Sequence, residues 1–181
     1  VQELAKGSVR EIVDVRQLSS YLEGAIQPVE QIGKLFESQG ALFSDIPSVW
    51  PLKGGIGHVS MAFGQNVHPI TGKWYIHKGM DFSTWRSGDP IIATANGRVV
   101  TAAFDPSYGF NVIIQHKYGY YTRYAHMSRF NVQKGQSVSQ GEIIGYVGNT
   151  GVTTGAHLHY EVHIGSEVVD PAKYISVKLS K

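Results

Sequence analysis

Apolar residues in the first 46 positions recur at intervals of three and four. Val9, Ile12, Val13 and Leu18 open the series, and Leu22, Ile26, Val29, Ile32, Leu35 and Phe36 continue it. That spacing predicts a helical arm with one apolar stripe, docked on the body or linking it to something upstream. Ser8 and Glu11 have the spacing of a capping box. Pro28 is expected to kink the helix or divide it in two. Phe43 to Pro51 reads as a connector, because two prolines in five residues do not continue a helix.

From Leu52 the pattern changes to short β-rich runs broken by glycine. Gly88-Asp89-Pro90 leads into Ile91-Ile92-Ala93, and Asn96-Gly97 has hairpin-turn chemistry before Arg98 to Ala102. Phe110 to His116 and Tyr120 to His126 predict a second hairpin around Tyr118-Gly119. Lys134-Gly135 and Gln140-Gly141 punctuate the next pair, and Ile143 to Val147 and Leu158 to Ile164 are later strands. Frequent turns without a helix-length segment predict an all-β, antiparallel body, a sandwich or barrel. We expect a helical arm or linker over 1–46, the body over 47–175 and a short tail over 176–181.

A length of 181 residues is enough for one good core plus a small appendage. The net charge of +2 gives no argument for nucleic acid as a partner. The absence of cysteine excludes thiol chemistry, disulfides and Cys-ligated zinc. No stretch approaches the roughly 20 apolar residues of a membrane span. The chain begins at Val1 rather than Met. We therefore expect a processed product or a fragment, which leaves room for a signal or membrane anchor upstream.

Candidate chemistry concentrates near the C-terminal end. If Ala156 to Ile164 is extended, Leu158, Tyr160, Val162 and Ile164 share one face, and His157, His159, Glu161 and His163 share the other. The first face is core-like. The second sets ionisable groups side by side, which is costly unless they are solvated or coordinated. His77 and Asp81 have matching parity upstream, with Gly79 between them leaving room for a turn. Two imidazoles and one carboxylate suit Zn2+ with a position left open for water. Spacing alone allows any three of His77, Asp81, His157, His159, Glu161 and His163. Taken singly, His58, His68, His116 and His163 read as surface residues or neighbours of a site, with His68 before Pro69 at a cleft rim. Lys78 and Arg86 need no role beyond solvation or rim charge. Tyr120, Thr122, Tyr124 and His126 share a face that lines a groove or belongs to a half-buried sheet.

The ordered motifs resemble the LytM/lysostaphin-type zinc metallopeptidases, peptidase family M23. They are Trp50-Pro51-Leu52-Lys53-Gly54, Phe63-Gly64-Gln65-Asn66-Val67-His68-Pro69, His77-Lys78-Gly79-Met80-Asp81, Ala95-Asn96-Gly97-Arg98-Val99, Tyr124-Ala125-His126-Met127, Val138-Ser139-Gln140-Gly141-Glu142 and Gly155-Ala156-His157-Leu158-His159-Tyr160-Glu161. The match covers roughly residues 50 to 172 and leaves the arm outside. It implies a catalytic body of the duplicated hybrid β type. It also implies one Zn2+ held by His77, Asp81 and His159, with His126 and His157 as assisting catalytic groups. The implied reaction is endopeptidase cleavage of peptidoglycan stem peptides or cross-links in the bacterial cell envelope, periplasmic or extracellular. Tyr124 and nearby aromatics would lie against the stem, and the arm would offer a surface to an envelope protein. The Arg usual after the Phe-Gly-x motif is Asn66 here, which bears on the local loop or a rim contact.

Three other readings predict different behaviour. A catalytically silent envelope scaffold or amidase activator of the same fold predicts no turnover. A phosphotransfer domain predicts phosphohistidine and no metal. A glycan-binding module gives His77 and Asp81 no purpose.

Overall fold

The computed structural model describes Gln31 and residues 39–67 and 71–175. The apolar series of the arm, its capping box and the Pro28 kink lie outside the described residues, as do His68, Pro69 and the 176–181 tail. The chain divides into two units, Val1–Ala41 and Leu42–Lys181. Residues 39–45 are helical. The connector therefore starts after Asp45 rather than at Phe43. Pro47 disfavours the helical conformation for the residue before it, and no proline lies between residues 39 and 45. Asp45 and Ser48 are both buried. Ser48 Oγ donates to the Phe43 carbonyl (2.7 Å), and Asn96 Nδ2 donates to Asp45 Oδ1 (3.1 Å).

Twelve strands follow: β1 (His58–Met61), β2 (Gly64–Val67), β3 (Trp74–His77), β4 (Met80–Ser83), β5 (Pro90–Ile92), β6 (Gly97–Asp105), β7 (Gly109–Gln115), β8 (Tyr120–Phe130), β9 (Ser137–Val138), β10 (Ile143–Val147), β11 (Leu158–Ile164) and β12 (Glu167–Val169). The main sheet runs β1-β4-β11-β8-β7-β6-β9, with β12 beside β11 and β10 joining β8 to β5. β2 and β3 form a separate ribbon. Every named pairing is antiparallel. The result is a domain dominated by antiparallel strands with a helix at its N-terminal side. The strand path ends at β1 and β9 without closing a barrel. An all-β description therefore needs the helix added.

Asn96-Gly97 does not close a hairpin. β5 pairs with β10, and β6 takes β7 as its hairpin partner. Asn96 instead ties segments together: its N–H donates to the Ser44 carbonyl, and its Oδ1 accepts from the Gln140 N–H. The hairpin of β7 and β8 around Tyr118-Gly119 forms as read, from Phe110↔Met127 to Gln115↔Tyr121.

Leu52, Phe82, Ile91, Ile114, Leu158 and Val162 are fully buried core residues. Each such side chain contributes about 1.5–3 kcal/mol by leaving water. Tyr124 and Tyr160 are fully buried with them. Their hydroxyls meet at Thr94 Oγ1, at 2.9 and 2.8 Å. Tyr124 therefore does not line a groove or touch a substrate stem. Its phenol tip finds a partner inside the core, which removes the cost of burying it.

His116 is also buried rather than on the surface. Its Nδ1–H donates to the Asn96 carbonyl (2.8 Å), and Nε2 accepts from the Thr122 hydroxyl (2.7 Å). Burial holds its pKa below the ordinary imidazole value, although the Asn96 hydrogen bond opposes the shift. The folded state thus keeps His116 neutral while the unfolded chain protonates it. The associated stability is present above the unfolded pKa, about 6.5, and is lost as pH falls through the lower folded pKa. We expect the thermal midpoint to fall more steeply as pH drops below about 6.5 in the wild type than in His116→Gln. Parallel declines in the two proteins would refute this.

Candidate metal centre and catalytic cleft

The β2–β3 ribbon brings the first histidine to the site. Along β3, Trp74 and Ile76 face solvent, whereas Tyr75 is half-buried and His77 buried. The His77 Nδ1–H donates to the Ala62 carbonyl (2.9 Å), which leaves Nε2 as a lone pair pointing inward. The same carbonyl accepts from Asn66 Nδ2 (2.8 Å), which also reaches the Gly64 carbonyl (3.2 Å). Asn66 therefore does not reach the rim as a long Arg would. It clips the turn whose carbonyl orients His77. Asn66→Ala is expected to weaken divalent-ion binding by up to about tenfold, as loss of an outer hydrogen bond to a ligand does. Competition against a chromogenic chelator would measure this, and an affinity within twofold of wild type would refute it.

β4 and β11 supply the other two groups. Asp81 and His159 are cross-strand partners, so their side chains share a face. Gly79 lets the β3–β4 loop pass closely: a Cβ there would meet the Tyr160 carbonyl oxygen at 2.5 Å and His159 Nε2 at 2.8 Å. His159 Nδ1 lies 2.8 Å from Asp81 Oδ1 and 3.0 Å from His77 Nε2, and His77 Nε2 lies 3.2 Å from Asp81 Oδ1. Three buried donor atoms thus form a tight triangle.

The donor set fits a metal ion. His77 spends its one N–H on Ala62, and His159 Nε2–H donates to Glu161 Oε1 (3.1 Å). Neutral, both imidazoles aim a lone pair at the same point, where only a cation relieves their repulsion. Donors on a tetrahedral ion with bonds of about 2.0–2.1 Å stand about 3.3 Å apart, close to the triangle observed. Without the ion, a proton takes that place. Burial alone would lower the His159 pKa, but Asp81 and Glu161 overcome it and raise it to about 9. Burial likewise works against the Asp81 carboxylate, and hydrogen bonds from His159 and His77 hold it well below the usual range.

Glu161, one of the open ligand candidates, stands behind His159 rather than beside it. It is 1% exposed. Oε1 also accepts from Tyr108 OH (3.0 Å), and Oε2 accepts from His163 Nε2 (2.8 Å). Arg123 Nε lies 3.0 Å from Oε2 as an ion pair rather than an aligned hydrogen bond. The Arg123 guanidinium covers the Tyr108 ring at 4.1 Å. Burial and Glu161 push the Tyr108 phenol up to about 12, so it stays a donor. His163 thereby becomes a partner of Glu161, not a ligand. Strand parity flagged Glu161 and His163, but nothing near Asp105-Pro106-Ser107-Tyr108 announced the Tyr108 contact.

His126 reaches the cleft through a break in β8. Its φ is 58°, rare for a residue with a side chain and frequent near functional sites. β8 pairs with β11 up to Ala125↔His159 and with β10 from Met127↔Val147. The register against β7 slips at the same place. The break lets Tyr124 and Met127 both enter the core while His126 turns to the cleft. The shared face read for Tyr120, Thr122, Tyr124 and His126 is broken there. His126 Nδ1–H donates to the Thr150 carbonyl (2.8 Å), and His157 Nδ1–H to the Gly155 carbonyl (2.8 Å). Their rings lie 4.8 Å apart. His157 Nε2 lies 3.7 Å from Asp81 Oδ2. Burial, and then His157 and His159 against the opposing Thr150 bond, push His126 down to about 4. These side chains line an open cleft of about 230 Å3 bounded by Tyr75, Tyr108 and Thr153.

Comparison with known proteins agrees with this arrangement. A domain of unknown function (DUF8516) matches residues 1–46. The DD-carboxypeptidase/endopeptidase Mpg of Neisseria meningitidis is 37% identical over 142 residues, 78% of this chain and 31% of Mpg. The chain thus spans about a third of that relative's length. A zinc-containing peptidase from Vibrio cholerae superposes with a TM-score of 0.63 at 35% identity, covering 68% of this chain and 38% of that one. The catalytic domain of lysostaphin from Staphylococcus simulans superposes with a TM-score of 0.61 at 28% identity, covering 67% and 93%. The profile of peptidase family M23 matches residues 75–171, from the ribbon strand that carries His77 to the end of the sheet. On that match, and on the His-Asp-His cluster it encloses, the chain belongs to peptidase family M23.

Proposed function

We propose that the chain is a zinc-dependent endopeptidase that hydrolyses cross-links between peptidoglycan stem peptides outside the cytoplasm. The observation that carries the reading is the convergence of two imidazole lone pairs and one carboxylate oxygen at the floor of an open cleft. The similarity to Mpg, a DD-carboxypeptidase/endopeptidase, supports a bond between D-residues as the target. His77, Asp81 and His159 would hold the ion. A bound Zn2+ supplies Lewis acidity, polarising a carbonyl and lowering the pKa of water to about 7.

The remaining steps belong to side chains. Glu161 fixes the His159 tautomer and adds negative charge behind the site. His126 is neutral at neutral pH and presents an unprotonated Nε2 to the cleft. It can take the proton of the attacking water. His157, held the same way beside it by Gly155, can take up that proton at Nε2 and, once protonated, donate to the developing oxyanion or return the proton to the departing amine. The body over 47–175 acts as the peptidase domain, and the 1–46 arm offers a surface to an envelope partner. No helix among the described residues is long and apolar enough to cross a membrane.

Incubation with defined cross-linked muropeptides, followed by mass spectrometry, tests the reading. Release of monomers that stops with chelator and returns with Zn2+ is expected. A zinc-loaded protein that leaves every muropeptide intact would sink the proposal and favour a silent scaffold.

A further inference from the structure

Trp85, in the β4–β5 loop, is 83% exposed and has φ 64°. A bulky aromatic residue seldom adopts that backbone, and burial of its ring does not explain it. The loop around it is tied. The Trp85 N–H donates to Ser83 Oγ (3.2 Å). Arg86 forks onto Asp89 through Nε and Nη2. The Gly88 N–H donates to the Val147 carbonyl, and the Val147 N–H donates to the Asp89 carbonyl. The His58 ring lies beside the indole, with centroids 4.9 Å apart and planes inclined by 31°. The His58 ring backs one face of the indole and leaves the other as an open platform, edged by Thr84 and Arg86 around a hollow of about 330 Å3.

Strand register puts this platform on the metal-bearing face. Ser83 follows Asp81 by two residues on β4, so both side chains point the same way. His58 is the cross-strand partner of Ser83 and shares that face. On the other side of β4, Asp81 opposes His159 and Phe82 opposes Leu158. Continuing the register brings His157 level with Ser83. His58 and Ser83 therefore stand about 7 Å along the strand from Asp81, on the same face and level with His157.

An exposed, pre-positioned aromatic face with a hydroxyl and a guanidinium at its edge is suited to a sugar. A pyranose offers a flat C–H face for weak contacts with the rings and a rim of hydroxyl and amide groups for the polar edge. The small aliphatic side chains of a peptide make no use of so flat a surface. A protein partner would call for a broader apolar patch than one interrupted by Thr84 and Arg86. We propose that Trp85 and His58 form a saccharide subsite for an N-acetylated hexosamine ring of the glycan strand that carries the scissile peptide. The identity of that sugar rests on the peptidoglycan reading above.

The test is titration of a β-1,4-linked N-acetylglucosamine tetramer into the full zinc-loaded chain, followed by tryptophan fluorescence and indole N–H resonances. Saturable binding is expected, weakened about tenfold or more in Trp85→Ala. It should be restored to within a few-fold in Trp85→Tyr and indifferent to Trp74→Ala. With glycan-linked muropeptides, Trp85→Ala should raise KM relative to glycan-free cross-linked peptide at similar kcat. Absence of tetramer binding at millimolar concentration, or equal binding by Trp85→Ala, overturns the subsite. A self-associated species that Trp85→Ala dissolves also overturns it, by assigning the platform to a second copy of the chain. Saccharide binding without turnover would leave the subsite standing and sink the hydrolytic reading. Turnover without saccharide binding would do the reverse.

Discussion

His159→Ala is expected to abolish metal binding and turnover together. His159 touches both carboxylates, with Nδ1 2.8 Å from Asp81 Oδ1 and Nε2–H donating to Glu161 Oε1. Its loss takes away a nitrogen ligand and also disconnects the ion from Glu161. Zinc binding of about 10–16 kcal/mol shared among a few ligands implies that one ligand is worth a factor of roughly a thousand. Loss of the metal should reduce muropeptide cleavage to background. The fold should survive, because Glu161 keeps Tyr108, His163 and Arg123 as partners. Equilibrium dialysis against buffered Zn2+, beside a thermal melt, separates the two effects. A well-folded variant that keeps stoichiometric zinc at micromolar concentration would remove His159 from the ligand set.

The opposite signature is expected for the two remaining histidines. His126→Ala and His157→Ala should each lower turnover by about 10²–10⁴, the range of a lost general acid or base, and retain zinc within a few-fold. Neither ring belongs to the triangle, and both Nδ1 atoms are tied to backbone carbonyls rather than to the ligands. If the pair moves one proton in relay, the double variant should fall little below the worse single one, since groups acting as a unit are not additive. Metal loss in either variant would make that residue a ligand and overturn the division of roles.

Much of the body was legible in local patterns. Leu158, Tyr160 and Val162 alternate as a core face, and His159 and Glu161 alternate as the other. Ile164 departs from this because it lies at the strand end, where β11 runs into the turn toward β12 and the chain returns to solvent. The β7–β8 hairpin followed from its turn residues. The same parity failed in β8. It grouped Tyr124 with His126, whereas a left-handed residue at 126 separates them. No glycine marks that break, because partner exchange from β11 to β10, not local propensity, imposes it. Asn96-Gly97 failed for a related reason: turn chemistry permits a reversal of the chain but does not choose the strand that pairs beyond it.

The sequence by itself determined the alternation that sorts polar from apolar faces, the glycine-punctuated strands and a short set of chemically suitable residues. Those features depend on neighbours along the chain and on the two-residue repeat of an extended backbone. Spacing left six candidates for the ion, and the family resemblance, not the spacing, singled out three. Only the tertiary structure decided how the candidates sort in space. His77 and His159, 82 residues apart, meet at 3.0 Å because ribbon and sheet converge. Glu161 falls behind His159 because Tyr108, Arg123 and His163 claim its oxygens first. Tyr124 belongs to the core because Thr94 answers its hydroxyl there. Each outcome turns on which partner satisfies a buried polar atom, and that choice exists only once distant strands have paired.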